Sequence, residues 1–143
     1  AASSMMLGAL DHVGEDIQRC LVITKQGHLD AALEKIPCMV CLESAHPVPD
    51  IRSLEAGAEL MRFLIEAPEE AEFVFLISGG TSSLVEVLPD HVSLEMLQRV
   101  NEWLLSGGLN IHQMNEVRRS ISLIKGGRLA DYLQGRPALC LLI

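Results

Sequence analysis

Short apolar runs alternate along the chain with longer segments in which apolar residues recur at helical spacing. Two of the runs, Phe73–Ser78 and Ala138–Ile143, are almost entirely apolar, as is typical of parallel strands covered by helices on both faces. Leu21–Lys25 and Met39–Glu43 have a similar length and are also predicted to be strands. The pattern therefore predicts four strands.

The segments between these strands are predicted to be helices. An opening helix of mostly small residues covers Ala1–Leu10. Ser53 is predicted to cap a helix that ends before Pro68, and Ser93 to cap one that ends at Gly107-Gly108. Strands that alternate with helices indicate a three-layer α/β/α fold with a doubly wound, mostly parallel, Rossmann-like sheet. We expect a single α/β domain across the whole chain.

A third predicted helix begins at Asn110, with Gln113 positioned to complete a capping box. Its predicted apolar face consists of Ile111, Met114, Val117, Ile121 and Ile124. Helical spacing puts a polar stripe opposite that face, made of Asn115, Arg118, Ser122 and Lys125 and leading into Gly126, Gly127 and Arg128. The stripe is either a solvated helix face or a site for phosphate or carboxylate, since arginine and lysine bind both anions. We also expect Arg118 and Lys125 to be dispensable for packing.

The strongest local motif directly follows the third predicted strand. It consists of Ser78, Gly79, Gly80, Thr81, Ser82 and Ser83. Two glycines allow the backbone to approach a ligand, and the hydroxyl groups can donate to an anion. In open α/β sheets ligands bind beyond the carboxyl ends of the strands, so this loop and Lys125 are predicted to share that edge. The alternative is an ordinary strand-to-helix turn. The loop matches neither a Walker A motif nor a dinucleotide fingerprint.

A histidine and an aspartate flank a proline-rich loop after the second predicted strand. The stretch His46-Pro47-Val48-Pro49-Asp50 is stiffened by its two prolines. His46 and Asp50 could then be held at the rim of the glycine loop as substrate-binding candidates. A purely structural histidine is the commoner alternative.

The composition narrows the range of functions. A net charge of −8 without any Lys/Arg run argues against nucleic-acid binding, since nucleic acids are polyanions. No apolar run reaches the ~18 residues of a membrane span and no signal peptide opens the chain, so we expect a cytoplasmic protein without membrane contact. The Cys38–Cys41 spacing would suit a redox or zinc pair, but no second ligand pair matches it, and no metal-ligating cluster is found. Cysteines packed as small apolar residues are the favoured interpretation.

These motifs occur in the same order in one known family. The chain resembles the glycerate 2-kinases, often catalogued as hydroxypyruvate reductases, in which a larger N-terminal domain precedes a C-terminal domain known as MOFRL. The resemblance covers essentially the whole chain. It is carried by Val22–His28, His46–Asp50, Phe75–Leu84, Asn115–Arg119 and Ile124–Ala130.

The resemblance implies an activity and a set of site residues. Members transfer the γ-phosphate of ATP to the 2-hydroxyl group of D-glycerate, with Mg²⁺, so ATP and glycerate are the expected ligands and a homodimer is one candidate assembly. Lys125, Arg118 and Asn115 would be catalytic. The residues that would bind phosphate or nucleotide are Ser78, Gly79, Gly80, Thr81, Ser82, Ser83, Gly126, Gly127 and Arg128.

The resemblance also predicts that residues 1–143 are inactive alone. In the family a Gly-Lys pair precedes the opening helix, a Ser-Asp-Val segment with acidic residues follows the last strand, and the MOFRL domain comes after it; the sequence contains none of these. Two other functions stay open. One is an NAD(P)H-dependent hydroxypyruvate reductase, although the dinucleotide fingerprint is absent. The other is a non-catalytic phosphosugar-binding module, suggested by the Ser/Thr-rich loop.

Overall fold

Four parallel strands form two separate hydrogen-bonded pairs in the computed structural model, which describes residues 1–143 apart from the side chain of Glu15. β1 pairs with β2, and β3 pairs with β4. Both ends of each strand lie within one residue of the predicted ones, and the α/β class with parallel strands is confirmed. The strands are β1 (Cys20–Lys25), β2 (Met39–Ser44), β3 (Phe73–Ile77) and β4 (Ala138–Leu142).

The arrangement of the pairs differs from the single continuous sheet that we expected. Within the described chain β1 and β3 are not hydrogen-bonded to each other. They face each other across a cleft that is lined by apolar residues of both strands and of the helices around them. The strands are therefore arranged as two halves of a sheet.

Helices connect β2 to β3 and β3 to β4, as predicted, but the predicted helix between β1 and β2 is replaced by a loop with one 3₁₀ turn, Leu33–Lys35. None of those described is long and apolar enough to cross a membrane. Short 3₁₀ turns follow the first helix, precede β2 and precede β4. The helices are α1 (Ala2–Val13), α2 (Ile51–Ile65), α3 (Thr81–Leu84), α4 (Leu94–Ser106) and α5 (Ile111–Ser120).

The start of α2 corrects one prediction. Asp50, not Ser53, is the N-cap: its Oδ1 accepts a hydrogen bond of 2.8 Å from the backbone N–H of Arg52. Ser53 lies one turn further on and completes the capping box, since its Oγ accepts from the Asp50 N–H at 3.2 Å. Both side chains satisfy N–H groups at the start of the helix, and Asp50 is the N-cap because the helix begins at Ile51.

The caps of the next two helices are the predicted ones. The Ser93 Oγ accepts from the Met96 N–H at 3.2 Å, and α4 ends at Gly107. Asn110 and Gln113 form the capping box of α5, with hydrogen bonds of 3.1 Å in both directions.

The end of α5 differs from the prediction. The helix stops at Ser120 instead of continuing to Ile124, and none of its residues is buried, Ile111 being 57% exposed. The Ser122 hydroxyl accepts hydrogen bonds from the backbone N–H groups of Ile124 and Lys125, at 3.3 and 3.2 Å. A serine that satisfies nearby N–H groups offers the backbone an alternative to the helix. The predicted apolar face and the predicted polar stripe are therefore both wrong as single helical faces.

Helix α2 links the two halves of the core. Its Ala56 belongs to one buried cluster with Leu84 and Val85, and its Leu64 belongs to another with Phe73. Between these two positions Gly57 lies directly against the backbone of the segment after α3: a Cβ added there would lie 2.0 Å from the carbonyl oxygen of Glu86. A glycine is required at this crossing because the helix and the segment share the space.

Two glycine-to-alanine changes should have opposite effects. Gly57→Ala should lower the free energy of unfolding by about 1–3 kcal/mol or more, because the methyl group would displace the Glu86 carbonyl. Gly8→Ala in α1 is the matched control: a Cβ there meets nothing within 4 Å. It should raise stability by roughly 0.5–1 kcal/mol through helix propensity. Urea denaturation of both variants tests the pair, and equal effects would contradict the described packing.

The cap of α2 should respond to pH. The hydrogen bonds from the Arg52 guanidinium hold the pKa of the Asp50 carboxyl below its ordinary value of 3.8. Its contribution to stability is therefore fully present above that value and is lost as the pH falls through the lower pKa of the folded state. Asp50→Ala should cost about 1 kcal/mol at neutral pH, and Asp50→Asn, which keeps the cap, should cost less. Thermal melts of the parent protein and of Asp50→Ala from pH 7 to pH 3 check this, and the destabilisation caused by Asp50→Ala should become smaller as the pH falls. An equal destabilisation at pH 7 and at pH 3 would contradict the prediction.

Candidate functional site

In the glycine loop after β3, two of the three hydroxyl groups of Thr81, Ser82 and Ser83 hold the shape of the loop itself. The Thr81 Oγ1 donates to the Ser78 carbonyl at 2.6 Å, and the Ser83 Oγ donates to the Gly80 carbonyl at 3.2 Å. Within the described chain the Ser82 hydroxyl makes no such bond and is exposed. Of these three hydroxyl groups, that of Ser82 is therefore the one left to donate to a ligand.

His46 lies against the glycine loop, at the rim where the sequence analysis expected it. A Cβ added to Gly80 would lie 2.8 Å from the His46 Nε2. Gly80 also has a φ of 87°, a backbone conformation that residues with a side chain rarely adopt. Both the backbone angle and the approach of His46 therefore require glycine at this position. Asp50 lies elsewhere: its carboxylate caps α2 and forms an ion pair with Arg52 at 2.6 Å. A structural role accounts for Asp50.

A buried carboxylate lies beside the loop. Glu86 is 2% exposed, and its carboxylate forms an ion pair with the ammonium group of Lys125. Its other oxygen accepts from the Val87 N–H at 3.1 Å. The sequence analysis missed Glu86, although a single charged residue within the apolar run from 84 to 88 was the available signal. Buried charges are almost always paired, and this one identifies the partner of Lys125.

Lys125 reaches the site from a loop instead of a helix. The Ser122 hydroxyl holds the backbone of this loop, and the ion pair with Glu86 fixes the side chain, which is 15% exposed. The residue thus lies near the glycine loop as expected, for a reason different from the predicted helical stripe.

Arg118 is held by a second buried polar residue. Its Nε donates to the Oδ1 of Asn101 on α4 at 3.3 Å. Asn101 is 6% exposed, and its amide group donates to the Leu97 carbonyl at 3.0 Å, which fixes its orientation. The sequence analysis also missed Asn101, because a polar residue on an amphipathic helix gives no separate signal.

These residues surround one small cavity of about 160 Å³. Three stretches that are far apart in the sequence meet there: the proline-rich loop, the glycine loop and the region around α5. Two cations face one carboxylate, so the cavity has a net positive charge within an acidic chain. Its polar lining residues are His46, Gly80, Ser82, Ser83, Glu86, Asn101, Arg118 and Lys125.

The other predicted site residues lie around this cavity or apart from it. Ser78, Thr81, Asn115 and Gly126 line the larger cleft between β1 and β3, which Ser82, Arg118 and Lys125 also border. The Arg128 guanidinium donates to the carbonyl groups of Arg119 and Ser122 and so closes the end of α5. Gly79 and Gly127 line neither space in the described chain.

Gly126 and Gly127 satisfy backbone requirements of the loop. Their φ angles are 69° and 89°, both in the left-handed region. A Cβ on Gly126 would also lie 2.7 Å from the Cδ of Arg119. The two glycines therefore let the chain turn tightly behind Lys125.

The described side chains do not form a metal centre. No group of three or more His, Cys, Asp or Glu residues among them is placed to hold a metal ion, and the carboxylate in the cavity is engaged by Lys125. Burial raises the pKa of the Cys20 thiol to about 11 and also raises that of Cys41. Raised values disfavour the reactive thiolate, in keeping with cysteines that pack as apolar residues.

Comparison with known proteins assigns the family. Residues 1–143 match the model described as "Domain of unknown function (DUF4147)". The chain belongs to the DUF4147 family. Among the relatives, the DUF4147 chain is 34% identical over 92% of its length to the D-glycerate 2-kinase of Thermotoga maritima. It is 37% identical over 91% of its length to a protein of Agrobacterium vitis that has the provisional name hydroxypyruvate reductase.

A solved structure agrees with the sequence relatives. The crystal structure of glycerate kinase from Thermotoga maritima superposes on 99% of the DUF4147 chain with a TM-score of 0.90 and 32% identity. The chain covers 31% and 33% of the two relatives and 34% of the solved chain. It therefore spans about a third of the length of the proteins it matches.

The ion pair corrects the expectation that Lys125 is dispensable for packing. In this DUF4147 chain Lys125→Ala would leave the Glu86 carboxylate buried without a partner, which should cost about 3–5 kcal/mol of unfolding free energy. Arg118→Ala should cost only about 1 kcal/mol, since it removes one hydrogen bond. Urea denaturation measures both values.

A double variant separates charge from packing. Glu86→Gln combined with Lys125→Met removes both charges together and should recover most of the stability lost in Lys125→Ala. If the double variant were as unstable as Lys125→Ala, the cost would come from lost packing and not from the uncompensated charge.

Proposed function

We propose that this chain is part of a glycerate 2-kinase, which transfers the γ-phosphoryl group of ATP to the 2-hydroxyl group of D-glycerate. The observation that carries the proposal is the small cavity where the glycine loop, Arg118 and Lys125 meet. The names of the relatives support the substrate, and the chemistry of the cavity supports the reaction class.

The cavity has the charge that phosphoryl transfer requires. Arg118 can bind a carboxylate or phosphate in bidentate fashion, and Lys125 offers a compact positive charge. The two cations are brought together in a chain with a net charge of −8, so the cavity differs in charge from the chain as a whole. At about 160 Å³ the cavity suits a small acid such as glycerate better than a whole nucleotide.

The glycine loop would approach the phosphate groups. A Cβ on Gly79 would meet no atom within 4 Å, so the space next to the backbone is open. Ser82 adds an exposed hydroxyl donor at the border of both cavities. We propose that Asn115, which lines the larger cleft next to Arg118, takes part in the same phosphate contacts.

The reaction needs charge stabilisation and positioning more than covalent chemistry. The 2-hydroxyl oxygen of glycerate forms a bond to the γ-phosphorus while the bond from that phosphorus to the β,γ-bridging oxygen breaks. The hydroxyl proton is released, and the products are 2-phosphoglycerate and ADP. Arg118 and Lys125 would neutralise the charge on the transferring oxygens. His46, at the rim against Gly80, would contact the glycerate molecule.

The cations are already oriented by buried partners. Glu86 holds the Lys125 ammonium group, and Asn101 holds the Arg118 guanidinium. Fixed groups stabilise a transition state without first having to reorganise, which is the main electrostatic advantage of an enzyme site. Mg²⁺ is usually held by one or two carboxylates together with the substrate phosphates, and no group of three or more His, Cys, Asp or Glu residues in the described chain is placed to hold it.

Replacing Arg118 should separate catalysis from stability. In the full-length protein Arg118→Ala should lower kcat/KM for glycerate phosphorylation by roughly 10²–10³, by analogy with the loss of one oxyanion donor. Arg99→Ala is the matched control, since Arg99 is exposed on α4 and forms an exposed ion pair with Glu95. It should stay within about twofold of the parent protein, because exposed ion pairs contribute little.

The assay follows ADP release with D-glycerate as the acceptor. Equal activity of the Arg118→Ala and Arg99→Ala variants would remove Arg118 from the site. Oxidation of NADH by the full-length protein with hydroxypyruvate, in the absence of ATP-dependent turnover of glycerate, would overturn the kinase proposal in favour of a reductase.

A further inference from the structure

The cleft between β1 and β3 has the surroundings of a missing central strand. Two adjoining spaces of about 730 and 470 Å³ run along it. The edges of the two strands form its sides, and apolar side chains of α1 and α2, such as Met6 and Phe63, complete its lining. A strand in the middle of a parallel sheet is enclosed in this way, by a strand on each side and by helices over the faces.

The backbone of both strands points N–H and C=O groups into this cleft that have no partner within the described chain. On β1 the N–H of Cys20 bonds to the β2 side, so alternation turns the N–H and C=O of Ile23 towards the cleft. On β3 the N–H of Phe73 bonds to the β4 side, and alternation turns those of Leu76 towards the cleft. Buried backbone groups are almost always paired, so a strand that accepts and donates along both edges fits the cleft.

The course of α1 identifies the occupant. The Ser3 hydroxyl donates to the His28 carbonyl at 3.1 Å and accepts from the Asp30 N–H at 3.2 Å, so α1 starts at the carboxyl end of β1. Its other end, at Val13, lines the cleft together with Cys20, the first residue of β1. A segment that leads into α1 must therefore end at the carboxyl edge of the sheet. A strand that ends there runs in the same direction as β1, so it is parallel to β1.

We propose that a strand formed by the segment preceding Ala1 in the full-length protein fills this cleft and pairs with both β1 and β3. The matched relatives are about three times as long as this chain, which leaves ample polypeptide to supply it. The strand, α1 and β1 then form a right-handed βαβ unit, the form taken by nearly all such connections. The complete order, β2-β1-new strand-β3-β4, is that of a doubly wound sheet.

The new strand also completes the candidate site, a part of the inference that rests on the proposed function. Chain order reverses between the new strand and β3, and ligands of doubly wound sheets bind at this switch point, outside the carboxyl ends of the strands. The connection from the new strand to α1 would leave the sheet next to Ser78 and Thr81, which line the cleft together with Ala2. Two loops, not one, then surround the phosphate groups.

Amide exchange of the full-length protein, resolved to single residues by NMR, tests the strand without any assay of activity. Ile23 and Leu76 should exchange within about tenfold of Val22 and Phe75, whose N–H groups point to β2 and β4 and act as internal controls. Faster exchange at Ile23 and Leu76 would mean that the cleft is empty or filled without backbone pairing, and would overturn the proposal.

Cross-strand contacts then identify the occupant. Nuclear Overhauser effects from the Ile23 and Leu76 amide protons should lead to backbone protons of residues preceding Ala1. Contacts to any other part of the chain would overturn the assignment of the segment.

A non-hydrolysable ATP analogue separates the strand from the shared site. Its addition should slow exchange in both Ala2–Ser4 and Ser78–Thr81. Protection of the second stretch alone would overturn the two-loop site and leave the strand in place. No change in either stretch, with Ile23 and Leu76 still protected, would count against the proposed kinase function and not against the strand.

Discussion

The buried ion pair between Glu86 and Lys125 is the interaction on which the arrangement of this site depends. Glu86 follows the glycine loop, and Lys125 follows α5, so the pair ties together two segments that the sequence separates by 39 positions. A charge buried to this degree is stable only with its partner in place. The folded chain therefore has to bring the region around α5 to the glycine loop.

Contacts of the Glu86 backbone with α2 also fix the position of this residue. The Glu86 N–H donates to the Ser53 carbonyl at 2.9 Å, and the close approach of its carbonyl to α2 requires Gly57. Because α2 also contributes to both buried clusters, the carboxylate is attached to the element that joins the two halves of the core. The site and the core consequently share one set of constraints.

Local sequence patterns predicted the strands and most helix caps, but they did not predict the long-range polar contacts. The strand bounds and the Ser93 and Asn110 caps follow from apolar runs and from hydrogen bonds that span three residues, which a sequence displays directly. The end of α5 depends on whether the Ser122 hydroxyl bonds to solvent or to the nearby backbone N–H groups. Helical spacing alone does not indicate which of these bonds forms. The glycine loop was found because strand, glycines and hydroxyls are contiguous. Glu86 and Asn101 were missed because their significance comes from partners at least 17 positions away.

Helix α5 holds Arg118 with little support from the core. It buries none of its residues and is secured by its capping box, by basic residues in its last turn and by the Arg128 guanidinium at its end. A helix of ten residues that is held mainly by local hydrogen bonds and charges is only marginally stable against unfolding. Binding of an anion by Arg118 would therefore also order the helix. The conformational entropy lost in this ordering would reduce the net binding free energy. Binding at this site would then be linked to local folding, with an enthalpy and a heat-capacity change larger than those of the direct contacts alone.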